Sequence, residues 1–163
     1  FAQPYFDAQQ LPENQIGYLW AALNCTVANF SLTAHRWTGH WRGLNLVAVI
    51  LVGFVVGYAL LGTSGRTSIV MGLMGLFLMY ALRGVATPTF LNLINPQAPA
   101  DMRATVLSIR GFLIRLGYAL TAPLLGWVAD VYTISEVFLI LSGSIALLSG
   151  VAWGYYWFFL RKV

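Results

Sequence analysis

Between residues 44 and 62 the chain carries no Asp, Glu, Lys, Arg or His, and four other stretches of similar length are nearly as apolar. A helix crossing the roughly 30 Å hydrocarbon layer of a bilayer needs about 20 such residues. A soluble fold cannot hide that much apolar sequence, because only 9% of the 163 residues are charged, against roughly 25% in ordinary globular domains. The spacing therefore predicts an all-α membrane protein of about five transmembrane helices. They form one membrane domain over residues 1–163, with spans at about 16–34, 44–62, 68–94, 103–129 and 134–160.

The stretches between the spans carry the residues that end helices. The first span closes in a polar cluster of His35, Arg36, Thr38, Gly39, His40 and Arg42. Gly62-Thr-Ser-Gly-Arg66 reads as a glycine-rich turn after the second. Asn95-Pro96-Gln97-Ala98-Pro99 breaks the chain after the third, since each proline lacks an amide donor and restricts the residue before it. Residues 130–133 make the last turn. Loop charges on alternate sides set the orientation. One side collects Arg36, Arg42, Arg103, Arg161 and Lys162; the other has Arg66 beside Asp7, Glu13, Asp130 and Glu136. This asymmetry puts the C-terminus in the cytoplasm and the chain in a plasma or inner cell membrane. Trp37 and Trp41 at one boundary, and Trp153, Tyr155, Tyr156 and Trp157 at another, suit anchoring among lipid headgroups.

Several function classes fall away. The net charge of +4 is scattered, with three arginines inside apolar runs, which is no footprint for nucleic acid. The lone Cys25 leaves no cysteine cluster for a metal, the two histidines share one loop, and no phosphate-binding glycine loop occurs. No cofactor and no enzymatic activity are expected. The chain begins at Phe1 without a signal-peptide pattern, so an upstream portion is expected.

Polar residues are shared unequally among the spans, and in a bilayer that carries information because buried polar groups are costly. The first span sets Thr26, Asn29 and Thr33 on one stripe, with Asn24 and Ser31 on another. The third aligns Gly72, Met79, Arg83 and Thr87, with Pro88 inviting a kink. The fourth aligns Ser108, Gly111, Arg115, Tyr118 and Ala122. These three spans read as walls of an aqueous cavity, and the second and fifth as outer support.

At the junction of the third and fourth spans the residues become specific: Asn92-Leu-Ile-Asn95-Pro96, Asp101-Met-Arg103-Ala-Thr-Val-Leu-Ser108, and Pro123-Leu-Leu-Gly126-Trp-Val-Ala-Asp130. This resembles the major facilitator superfamily of secondary transporters, in which an Arg-Ala-Thr-x-x-Ser run opens the eleventh helix and Gly-x-x-x-Asp closes it. Residues 34–42 are similar to the family's Asp-Arg-x-Gly-Arg loop between the eighth and ninth helices, with His35 in place of Asp and one extra residue before Gly39. The resemblance covers nearly the whole chain. It implies a partial transporter fold, helices eight to twelve of twelve, whose partner is a missing N-terminal bundle of the same protein. Its eighth, tenth and eleventh helices line the cavity, in agreement with the polar stripes.

Arg115 lies about 18 Å along its helix from Arg103 at 1.5 Å per residue. An arginine at that depth costs at least about 2.5–3.5 kcal/mol unless it finds a partner or water. Contact with a solute or coupling ion is one reading; an ion pair with an acid of the missing half, or bonds to helix carbonyls, is the other. Arg83 is open to the same two readings, while Arg110 snorkels toward the cytoplasmic headgroups. The candidate cavity residues are thus Asn24, Asn29, Arg83, Thr87, Ser108, Arg115 and Tyr118, and the candidate cytoplasmic gate is Arg36, Arg42, Asp101 and Arg103. Asn24 and Asn29 suit interhelical hydrogen bonds more than solute contact, and Asp101 suits a helix N-terminus. The expected function is transport of a small solute, anionic or polar, across the lipid bilayer by alternating access. The alternatives are a non-transporting membrane scaffold or assembly subunit, and, behind it, a membrane-embedded enzyme.

Overall fold

The computed structural model describes residues 2–38 and 43–160, and among these every regular element is a helix. The helices are α1 (Ala2–Ala8), α2 (Glu13–Thr38), α3 (Gly43–Thr67), α4 (Ile69–Ile94), α5 (Arg103–Val131) and α6 (Ile134–Tyr155), the last running on as a π-helical turn, Tyr156–Leu160. Four stretches are long and apolar enough to cross a membrane: Leu44–Ser64, Ile69–Ile94, Arg103–Val131 and Ile134–Phe158. The fifth expected span, α2, has the length at 26 residues, but Asn24, Thr26, Asn29, Ser31 and Thr33 dilute its apolar character. Five apolar spans were expected from the sequence, and four meet that standard.

The expected glycine-rich turn at 62–66 is not a turn. α3 continues through it to Thr67. Thr63 donates its hydroxyl to the Ala59 carbonyl and Ser64 to that of Leu61, feeding the side chains back into the helix. The chain breaks one residue later, where Ser68 takes extended backbone angles and its Oγ accepts from the Val70 amide as the N-cap of α4. Gly62 serves packing instead, since a side chain there would run into Leu139 and the Ser135 carbonyl of α6. The proline break behaves as expected: α4 ends at Ile94 and residues 95–102 turn into α5. Thr133 and Glu136 close a reciprocal capping box at the start of α6.

Glycines set how the long helices meet. Gly53 sits beside Leu82, Gly57 beside Met79, and Gly75 beside the Gly57 carbonyl and Leu60, so α3 and α4 run antiparallel at close range. Gly84 meets the backbone of α2 at the Val27 carbonyl and Ser31 amide, while the Trp20 and Tyr80 rings lie 6.3 Å apart nearer the other end. α2 and α4 therefore run in the same direction. The order across the molecule is α2, α4, α3, α6, with α3 enclosed between α4 and α6. That position corrects its expected role as outer support, for α3 buries Leu46, Ile50 and Leu61. Ser142 of α6 donates to the Val55 carbonyl at 2.9 Å, a cross-helix bond in an apolar seam.

α1, which carries no signal of its own in the sequence, plugs one end of this row. Tyr5 and Phe6 are both fully buried, in a cluster with Ile16, Leu23, Leu61, Leu76 and Phe138. Phe6 meets Trp20 edge to face at 6.1 Å, and the Trp20 indole donates to Gln3 at 3.3 Å. The helix is turned off by Gln10 in the left-handed region (φ 54°), with Leu11 bonding back to the Phe6 carbonyl and Gln10 to that of Asp7. α5 is the opposite case: no residue along its 29 is buried, and its main neighbour is α6, to which a short turn joins it.

Candidate functional site

α2 packs on α4 through a seam made by Ile16, Leu23, Val27, Phe30 and Ala34, the first, second and last of them buried. At 100° per residue the two polar stripes of α2 fall on the flanks of that seam rather than in it. Their groups are spent mostly on their own helix: Asn24 donates to the Trp20 carbonyl at 2.8 Å, Thr26 to Ala22 at 2.9 Å and Thr33 to Asn29 at 3.0 Å. Asn24 and Asn29 remain exposed, as does the opposite apolar stripe of Tyr18, Cys25 and Leu32.

The polar face expected on α4 is divided. Gly72 is covered by Tyr5 and Met79 packs on Gly57, so the N-terminal half of that face belongs to the core. The C-terminal half, Arg83 and Thr87, is open. The Thr87 hydroxyl points back to the Arg83 carbonyl at 3.4 Å, and Thr89 bonds that of Val85 at 2.7 Å on the buried side, flanking Pro88 without interrupting the helix.

On α5 the expected alignment stands out from the rest of the protein. Ser108, Arg115 and Tyr118 are all exposed, Tyr118 by 68%, and a side chain at Gly111 would meet nothing. Leu107, Ser108, Gly111, Phe112 and Arg115 line an open depression of about 440 Å³. Projected down the axis, Ser108, Gly111, Arg115 and Tyr118 share one arc, Arg103, Arg110 and Gly117 lie on its flank with Leu107 and Ile114 between, and Ile109, Phe112, Leu113, Leu116, Leu120, Leu124 and Trp127 lie opposite. Thus Arg110 and Arg115 project from different sides of the helix, and neither side has a residue buried by the described residues.

Of the gate residues, Arg103 donates from Nε to the Ala98 carbonyl at 3.4 Å, tying the 95–102 turn to the start of α5. Arg36 and Asp101 are exposed, and Arg42 lies outside the described residues. The candidate residues do not converge in one chamber within this chain. α2 and α4 bring theirs side by side, while those of α5 stand apart. The residues missed from the sequence are structural, chiefly Tyr5, Phe6, Gly75, Gly84 and Ser142; the small residues on α4 were a signal for its two close neighbours. No family model, curated protein or solved structure matches the chain.

Proposed function

We propose that this chain is one helical bundle of a multi-pass secondary transporter that moves a small polar or anionic solute by alternating access, the reading its resemblance to the major facilitator superfamily implies. The observation that carries it is α5. A membrane-length helix with Arg115 deep along it is costly in lipid unless protein or water meets that side. A second bundle facing α5 across a wet cavity satisfies that need, and α5 is then the cavity wall that α2 and α4 extend.

In this reading α2 is the fifth span. It runs in the same direction as α4 along a shared seam, so a bilayer that contains α4 contains α2 as well, and the back-bonded Asn24, Thr26 and Thr33 reduce the cost of that immersion. The membrane is the plasma or inner membrane, with the C-terminus cytoplasmic by the distribution of loop arginines and lysines.

The test is solute uptake by the full-length protein in proteoliposomes, comparing wild type with Arg115→Gln and Arg83→Gln at matched expression. Loss of at least tenfold in transport by either variant supports the reading; unchanged transport in both removes these arginines from the pathway. A second reading, an assembly subunit whose α5 docks a different membrane protein, draws on the same uncovered face. It predicts a stable heteromeric complex in mild detergent and no solute flux.

A further inference from the structure

We propose that the depression on α5 binds an organic anion, with a carboxylate or phosphate headgroup taken by Arg115 and Ser108 and an apolar body laid against Phe112 and Leu107. This rests on the transporter reading, which it narrows to a class of substrate.

The planar fork of the Arg115 guanidinium suits two oxygens of one headgroup. Arg115 lies about 18 Å along α5 from the charged end at Arg103. The five acids of the chain are Asp7, Glu13, Asp101, Asp130 and Glu136, all at helix ends or in turns. None lies at the level of Arg115 along the spans, so no Asp or Glu of this chain meets it there.

Shape narrows the choice further. The depression, about 440 Å³, is an open groove on one helix, and in the transporter reading the facing bundle closes it over a ligand. Ser108 stands seven residues before Arg115 on the same face, and Gly111 between them has open space where a side chain would be. A helical arginine leans back toward the N-terminus, so the Arg115 guanidinium shares the open stretch over Gly111 with the Ser108 hydroxyl. Phe112, 62% exposed, and Leu107 supply an apolar edge beside them. A sugar would leave its several hydroxyls facing one Ser and two apolar side chains, and a cation would be repelled by Arg115. An acid with a hydrocarbon or aromatic body matches every group present.

The full-length protein in lipid nanodiscs is titrated with radiolabelled benzoate, in competition with phenylphosphate, benzamide and benzylamine. Saturable benzoate binding, displaced by phenylphosphate and at least tenfold more weakly by benzamide and benzylamine, is the expected result. Arg115→Gln is expected to lose at least tenfold in affinity and Arg115→Lys less, while Arg110→Gln stays within twofold. Gly111→Leu, whose Cβ meets nothing and whose side chain enters the depression, keeps the proposal testable should Arg115→Gln fail to fold, and is also expected to abolish binding. Equal binding of benzoate and benzamide, or benzoate binding indifferent to both Arg115→Gln and Gly111→Leu, overturns the proposal. So does a folded wild type that binds no benzoate, as when a protein carboxylate occupies Arg115. Uptake of a neutral or cationic solute alongside any of these results leaves the transporter reading standing. Arg115-dependent benzoate binding with no flux of any solute removes that reading and keeps the anion site.

Discussion

The phenol of Tyr5 lies against the backbone of Gly72, in the space a side chain at that position would occupy. Two segments far apart in sequence meet there, and the contact fixes α1 onto α3, α4 and α6. The Tyr5 hydroxyl is fully buried and has no hydrogen-bond partner among the described residues.

Gly72→Ala therefore forces Tyr5 out of its seat, a clash with a ring held on two sides by Phe6 and Phe138 at 6.1 Å. The expected cost is about 1–3 kcal/mol, the range for overpacking a tight core. Tyr5→Phe is expected to be neutral or stabilising by up to about 1 kcal/mol, because an unpaired buried hydroxyl costs desolvation without return. Combined with Gly72→Ala it should recover part of the loss. Thermal unfolding in detergent, followed by Trp20 fluorescence, measures all three, and additive effects of the two substitutions would show that the residues do not touch.

Gly84 is the second close approach, with the Val27 carbonyl and Ser31 amide of α2 where its side chain would go. Backbone atoms cannot rotate away, so Gly84→Ala must part the helices. The expected destabilisation is about 1–3 kcal/mol. Gly143→Ala on α6, where nothing lies within reach, should be neutral or stabilising by up to about 1 kcal/mol. Equal effects of the two substitutions in a thermal-shift assay would show that α2 and α4 are not packed in this way.

The long helices were legible because their apolar runs match the thickness of a bilayer and because prolines at 96 and 99 permit only a break. Glycine was the ambiguous signal. At Gly62 it reads as a turn by composition, yet its use is the close approach of α6, and only the position of Leu139 distinguishes the two. α1 was invisible because seven residues hold too little pattern, and Tyr5 and Phe6 are adjacent rather than spaced as an amphipathic face. The alignment of Ser108, Gly111 and Arg115 followed from helical spacing alone. What the sequence did not reveal is that Asn24 spends its amide on the Trp20 carbonyl and that Tyr5 covers Gly72. Both depend on rotamers and on partners distant in sequence.

Cys25 lies on the apolar stripe of α2 between Tyr18 and Leu32, which are 79% and 78% exposed, on the side turned away from α4. If α2 crosses the bilayer beside α4, that thiol faces acyl chains. Membrane-impermeant maleimides should then leave Cys25 unmodified in sealed vesicles and modify it after detergent is added. Rapid labelling in intact vesicles would place α2 outside the hydrocarbon and reduce the spans to the four apolar helices.

α5 gives the sharpest contrast between this chain and the assembly in which it is proposed to work. Gly117 lies on the same side as Arg103 and Arg110, and a side chain there meets nothing within this chain. Gly117→Leu should therefore leave the stability of the bundle unchanged or raise it by up to about 1 kcal/mol, the helix-propensity gain over glycine. In a transporter whose other bundle closes against that face, the same leucine would hold the two bundles apart in one access state. Alternating access needs both states, so transport should fall by tenfold or more while expression and thermal stability stay level. Crosslinking between the bundles would show the population shifted toward the state in which the α5 face is open. Full transport by Gly117→Leu would mean that lipid or water, rather than protein, meets this part of α5 throughout the cycle, and the cavity would then have to be built from its Arg115 side alone.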